Sequence, residues 1–178
     1  WNIKLLKGTG ESRLVDDFVH DGNTSCQIKS SKNGRYVLTT SDLSVEGDKI
    51  YKISFYYRTS ADNSQGYSSV RPMFFDENGR LLCYACEIGL ADSDGKWEIK
   101  EFFIKTHSLT SKCKIEFNIL VHEIWFDDVR FESKISKTNG MIHGHVPIIE
   151  KPICSELFSQ EKRDPNWYVF PNWAYNLS

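Results

Sequence analysis

Long apolar runs are missing from these 178 residues. No segment approaches the ~20 consecutive apolar residues of a membrane span, and the opening Trp1 to Lys4 is not a signal peptide. An excess of one charge is missing as well. The formal net charge is -2 and no Lys/Arg run is long enough to form a polyanion patch, so neither nucleic acid nor a membrane is an expected partner. Helical periodicity of any length is absent, which argues against an α/β fold. Cysteine is sparse and odd in number: Cys26, Cys83, Cys86, Cys113 and Cys154 leave at least one thiol unpaired within the chain. Cys83 and Cys86 have C-x-x-C spacing, but no second such pair and no His at ligand spacing accompanies them. They sit in a strand-like run where positions three apart face opposite ways, so they are expected to be ordinary half-buried thiols. The start at Trp1 without Met points to a processed chain or a piece of a larger protein.

What is present is aromatic and turn-rich. Aromatic residues make up 13% of the chain, above core needs and typical of β-sandwiches and of surfaces that stack on flat ligands. Two apolar runs, around Ile3–Leu6 and Leu14–Phe18, are separated by a Gly-Thr-Gly turn, and Ser25 to Ser30 reads as a short strand. Lys32-Asn33-Gly34 is the strongest hairpin signal, with Tyr36 to Thr40 as the returning strand. From Ile50 to Thr59, Tyr51, Ile53, Phe55 and Tyr57 alternate with Lys52, Ser54, Tyr56 and Arg58. Residues 60–69 read as a polar loop. Val70–Phe75 and Leu81–Ile88 flank a second hairpin turn at Asp76-Glu77-Asn78-Gly79. Trp97 to Lys105 follows, with Trp97 expected as a core anchor, and then Lys114 to Val121 with Ile115, Phe117, Ile119 and Val121 on one face. Eight to ten short strands at this rhythm predict an all-β, antiparallel sandwich over residues 1–133. Residues 134–178 hold four of the five prolines and read as an extended segment, or as the lead-in to a further domain.

The stretch Ile124-Trp125-Phe126-Asp127-Asp128-Val129 sets two carboxylates inside an apolar strand. A cation, a chain end packed beside Asp127, or a solvent-facing kink would each accommodate them. Several pieces, in order, resemble the jelly-roll carbohydrate-binding modules grouped around families 4, 9, 16 and 22, whose fold is galactose-binding-like. His20 to Lys29 (HDGNTSCQIK) resembles H-x-G-x-x-S-L-x-V. Asp42-Leu43 to Gly47 with Tyr51 to Arg58 (YKISFYYR) resembles D-L-x-x-G-x-x-Y-x-I-S-x-x-x-R. Gly95-Lys96-Trp97 with Phe102-Phe103 resembles G-x-W…F, and Phe126 to Val129 resembles a closing I-D-D-V. The similarity covers about residues 20–131; an N-P-G-F-E-like first strand is not recognisable.

The resemblance implies a structural calcium held by Asp127, with Asp17 and Asn23 proposed beside it as further oxygen donors. It also implies a sugar-binding concave sheet, expected to contain strands 51–59, 70–75, 81–88 and 114–121. Alternation then offers Tyr56, Arg58, Arg71, Tyr84, Asn118 and His122, and Arg35 and Tyr36 join from the preceding strand. Three arginines on one face tilt the expectation toward an acidic polysaccharide such as a polyuronate, because guanidinium forks match carboxylates. The expected function is therefore a non-catalytic carbohydrate-binding module. It would tether a secreted, extracellular polysaccharide-degrading enzyme of bacterial glycan degradation to its glycan, with a covalently linked catalytic domain as partner. The alternatives are a small β-sandwich polysaccharide lyase using Tyr84, His122 and Arg71, and a protein–protein or cell-wall attachment domain. His143 and His145 form an H-x-H pair with no third ligand in sight.

Overall fold

The computed structural model describes residues 1–31, 34–61 and 67–133, together with the two-residue strand at 148–149. Among the described residues there is no helix. Two antiparallel sheets pack face to face as a β-sandwich, in agreement with the expected class. The seven-stranded sheet runs β1 (Asn2–Lys7), β4 (Arg35–Thr39), β11 (Lys112–Ile119), β7 (Ser68–Phe75), β8 (Leu81–Tyr84), with β5 (Leu43–Ser44) beside β11 and β9 (Ile88–Leu90) beside β7. The six-stranded sheet runs β13 (Ile148–Ile149), β10 (Glu98–Lys105), β6 (Ile50–Thr59), β12 (Glu123–Ser133), β3 (Ser25–Ser30), β2 (Gly10–Val15). Of residues 134–178, only β13 is described; it runs parallel to β10, with Phe103 opposite Ile148.

Period-two alternation builds the core. Cys113, Ile115, Phe117 and Ile119 of β11 are buried while Lys112, Lys114, Glu116 and Asn118 are not, and Tyr51, Ile53, Phe55 and Tyr57 of β6 point inward from the other sheet. The two sheets meet at Phe55, Phe117 and Phe126: ring centroids lie 5.0 Å apart for Phe55–Phe117 and 4.9 Å for Phe117–Phe126, both edge-to-face. Such aromatic pairs are stabilised beyond the area they bury.

Turn chemistry matches one hairpin and corrects the other. Asp76 Oδ1 accepts from Asn78 N and Arg80 N, and Gly79 takes φ +77°, which closes β7 onto β8. The hairpin expected at Lys32-Asn33-Gly34, of which residues 32 and 33 lie outside the described residues, is corrected by topology: β3 belongs to the six-stranded sheet and β4 to the seven-stranded one, so the chain crosses between sheets from one to the other. A tight turn signals reversal, and it does not determine which sheet receives the next strand. The 92–95 turn is fastened to β6, where Thr59 N donates to Ser93 Oγ at 2.8 Å and Ser93 N to Thr59 Oγ1 at 2.9 Å.

The cysteines depart in part from expectation. Cys83 is disulfide-bonded, and not to Cys86, whose thiol is free, as are those of Cys26 and Cys113. Burial pushes the Cys86 and Cys113 thiols up to about 12, so neither supplies a thiolate near neutral pH. Cys154, His143 and His145 lie outside the described residues.

Phe117 is 1% exposed and touches both sheets through its ring contacts. Phe117→Ala is expected to lower unfolding free energy by ~3–5 kcal/mol in urea denaturation, by lost transfer energy plus an unfilled cavity.

Candidate functional site

Each sheet has one outer face, and the chain treats the two differently. Across the outer face of the six-stranded sheet lies the loop between β2 and β3. Its Phe18 ring sits 4.1 Å from the Arg58 guanidinium and packs against Trp125 at a centroid distance of 5.2 Å. Its His20 stacks on Tyr56 at 3.4 Å and 16°, with Trp97 edge-on to His20 at 5.9 Å. Trp97 is therefore partly exposed on this outer face and is not a core anchor. Tyr56 and Arg58 do point outward, but from the wrong sheet, and both hold this loop.

Asp127 anchors the same loop. Its Oδ2 accepts from His20 N at 2.8 Å and Asp21 N at 3.1 Å, and its Oδ1 accepts from Asp128 N at 2.7 Å. A bulge between Asp127 and Arg130 produces this geometry, with Asp128 at φ +49° and its carboxylate bonded to Arg130 Nε at 2.7 Å. Asp17 and Asn23 are exposed in the loop, and among the described residues no three His, Cys, Asp or Glu side chains gather as a metal-ligand set. The donor set does not fit a calcium cage, because the carboxylate assigned to the ion is occupied by backbone N–H groups. Asp127→Ala is expected to cost about 1–3 kcal/mol by leaving these donors without a charged acceptor, while EDTA leaves the melting temperature unchanged. Differential scanning calorimetry of both samples checks this.

The seven-stranded sheet keeps its outer face open. Arg35, Val37 and Thr39 of β4, Glu116 and Asn118 of β11, and Arg71 of β7 all point to it, as the register dictates: Glu116 lies opposite both Thr39 and Arg71, and Asn118 opposite Val37. Arg35 Nε donates to Asn118 Oδ1 at 2.9 Å. Arg71 donates to Glu116 Oε1 from Nε at 2.7 Å and from Nη2 at 2.6 Å, with its guanidinium 4.6 Å from the Tyr84 ring centroid. Together with Asn2, Lys4 and Leu6 of β1, these β4, β7 and β11 side chains (Asn118 apart) line a groove of about 310 Å³. Three cations (Lys4, Arg35, Arg71) face one carboxylate (Glu116) there.

Of the residues anticipated from sequence, Arg35, Arg71, Tyr84 and Asn118 come together on this face. Tyr36 does not: it is 3% exposed in the core, since neighbours on a strand point to opposite sides and Arg35 takes the outer one. His122 lies exposed in the connection after β11, which ends at Ile119, so strand parity no longer places it. The expected concave sheet is corrected accordingly: strands 70–75, 81–88 and 114–121 contribute to it, and 51–59 belongs to the opposite sheet. Lys4 and Thr39 were missed. β1 carried no recognisable motif, and only its pairing with β4 brings Lys4 beside Val37.

No family model matches the chain, and no curated protein matches it in sequence. Its fold, however, is that of solved carbohydrate-binding β-sandwiches. The chain is similar to the CBM22-1 xylan-binding domain of Paenibacillus barcinonensis Xyn10C (15% identity, TM-score 0.51, 74% of this chain and 85% of that one). It is also similar to a family 16 carbohydrate-binding module (11%, 0.52, 67% and 84%). A further similarity is to the enzymatically active domain of bacteriophage CBA120 tailspike protein 4 (15%, 0.62), where 75% of this chain covers 19% of that one. The architecture is thus the jelly-roll type shared by modules of families 22 and 16.

Proposed function

We propose that the protein is a non-catalytic carbohydrate-binding module whose ligand lies across the outer face of the seven-stranded sheet, and that the ligand is acidic, as polyuronates are. The observation that carries this reading is the open groove in which Lys4, Arg35 and Arg71 outnumber Glu116. Arg35, held through Nε alone, keeps both terminal nitrogens for a second planar partner, and a carboxylate fits that edge, whereas Arg71 already gives Nε and Nη2 to Glu116. Asn118 and Glu116 thereby set the arginines before ligand arrives, so less entropy is lost on binding. A module of this kind serves to hold a secreted polysaccharide-degrading enzyme on its substrate, raising the local concentration. The solved relatives support that use, since one such module accompanies a GH10 catalytic module in Clostridium thermocellum Xyn10B.

The lyase alternative needs Tyr84, His122 and Arg71 at one point. Tyr84 is in register with Met73 and, through it, Lys114 near the start of β11, whereas His122 follows the end of that strand. Five residues of strand separate Lys114 from Ile119, roughly 17 Å. The three side chains therefore do not assemble a lyase centre.

Arg35→Ala is expected to weaken binding of oligogalacturonate about 5- to 30-fold, as for loss of a charge-assisted hydrogen bond, with the wild-type affinity in the ~µM–mM range and falling as salt rises. Tyr56→Ala and Arg58→Ala are expected to leave the affinity unchanged, whatever they do to stability. Calorimetric titration of the three variants decides it: equal losses at Arg35 and Arg58 would place the ligand elsewhere.

A further inference from the structure

The open face continues past the cationic groove, and its character changes there. Ser69 of β7 pairs with Asn118 on one side and with Gly89 of β9 on the other. Paired residues of an antiparallel ladder point to the same face, so the missing side chain of Gly89 opens onto the surface that carries Arg71 and Asn118. The Tyr67 ring takes that space. A Cβ on Gly89 would lie 2.8 Å from Tyr67 Cε2 and 2.9 Å from its Oη, closer than non-bonded atoms come. Gly89 is not among the glycines with positive φ, so the ring above it, and not the backbone, accounts for glycine at this position. Tyr67 is 41% exposed, an aromatic plate on an otherwise polar stretch.

Beside the plate stands a carboxylate. Ser69, fully buried, donates from Oγ to Glu87 Oε1 at 2.5 Å, while Glu87 Oε2 is buried without a hydrogen-bond partner. None of the ion pairs among the described residues includes Glu87. Three strand spacings, about 14 Å, separate β4 with Arg35 from β9 with Gly89. Across that span the face passes from cations to an uncompensated carboxylate flanking an aromatic ring.

We infer that this face reads neighbouring sugars differently: an acidic residue over Lys4, Arg35 and Arg71, and a neutral pyranose stacked on Tyr67 beside Glu87. The inference rests on the proposed carbohydrate-binding role of this face and narrows it. The ligand is a heteropolysaccharide in which uronic acid and neutral sugars adjoin, and a homopolyuronate is disfavoured because every register sets a carboxylate against Glu87. The neutral ring offers C–H groups to Tyr67 and brings no charge to the side where Glu87 sits, whereas a uronate there makes a like-charge contact.

The test is calorimetric titration of the full chain with three oligosaccharides of equal length: an oligogalacturonate, an oligomer alternating uronic acid with neutral hexose, and a neutral hexose oligomer. The alternating oligomer is expected to bind about tenfold more tightly than the oligogalacturonate. Glu87→Gln, which keeps the shape, is expected to close that gap by raising oligogalacturonate affinity. Gly89→Ala, with folding checked by circular dichroism, is expected to lower affinity for the alternating oligomer at least about fivefold by displacing Tyr67. A wild-type protein that binds oligogalacturonate as well as the alternating oligomer, or a preference that Glu87→Gln leaves unchanged, overturns the inference while the acidic-glycan reading stands. If neither acidic oligomer binds, both fall.

Discussion

The acceptance of the His20 and Asp21 backbone N–H groups by Asp127 fixes the β2–β3 loop against the outer face of the six-stranded sheet. A loop of nine residues between β2 and β3 has no ladder of its own, and its backbone donors need acceptors. A carboxylate raised by a bulge out of β12 supplies them, and the loop is then held flat on the six-stranded sheet. Phe18 and His20 complete the attachment by covering Arg58, Trp125 and Tyr56. A guanidinium beside two aromatic rings and an imidazole on a phenol are favourable contacts, and they occupy the aromatic and cationic surfaces of that face. The groove lies on the opposite sheet, whose outward polar side chains no such loop covers among the described residues.

On that open sheet the arrangement of side chains follows from register. Arg71 and Glu116 are direct cross-strand partners, so their pairing is a consequence of how β7 and β11 align. At 19% and 14% side-chain exposure the pair is screened from water enough to be held in place, and its Coulomb term is stronger than that of an exposed pair. Tyr84 stacks below the same guanidinium, so its role is to support Arg71 more than to present a bare ring. Arg35 is held more lightly, by a neutral amide, and so retains more of its charge for an incoming anion.

Much of this was readable from sequence, and the failures share one cause. Alternation along Ile50–Thr59 correctly predicted that Tyr56 and Arg58 face outward, and alternation along β11 did the same for Asn118. Period two states which side of its own sheet a residue occupies; it is silent about which of two sheets the strand joins. That is settled by pairing across tens of residues, as when β6 joins β12 and β10 and leaves β7 to β11. The error at Tyr36 was avoidable: placing both Arg35 and Tyr36 on one face contradicts the pleat. The Asn-Gly turn misled for a related reason, since local turn chemistry fixes a reversal and not its destination. Tyr67 escaped because its place over Gly89 arises from the pairing of β7 with β9, for which residues 60–69 carry no periodic signal.

The similarity to solved modules at 10–15% identity has a physical reading of its own. A β-sandwich needs inward apolar positions at period two, closing turns and a bulge or two, and many sequences meet those demands. Outward positions are not bound by them. Two chains can therefore superpose as folds while presenting unrelated chemistry to a ligand, and a xylan-binding domain of the same shape says little about what this face takes up. The information must come from the outward residues themselves. Here those are Lys4, Arg35 and Arg71 around a single carboxylate, with Arg35 fixed through Nε and Arg71 through Nε and Nη2. A neutral polymer gains nothing from that surplus of positive charge, whereas an anionic one offsets it on contact. The electrostatics of the groove, more than its shape, is what carries the proposal of an acidic ligand.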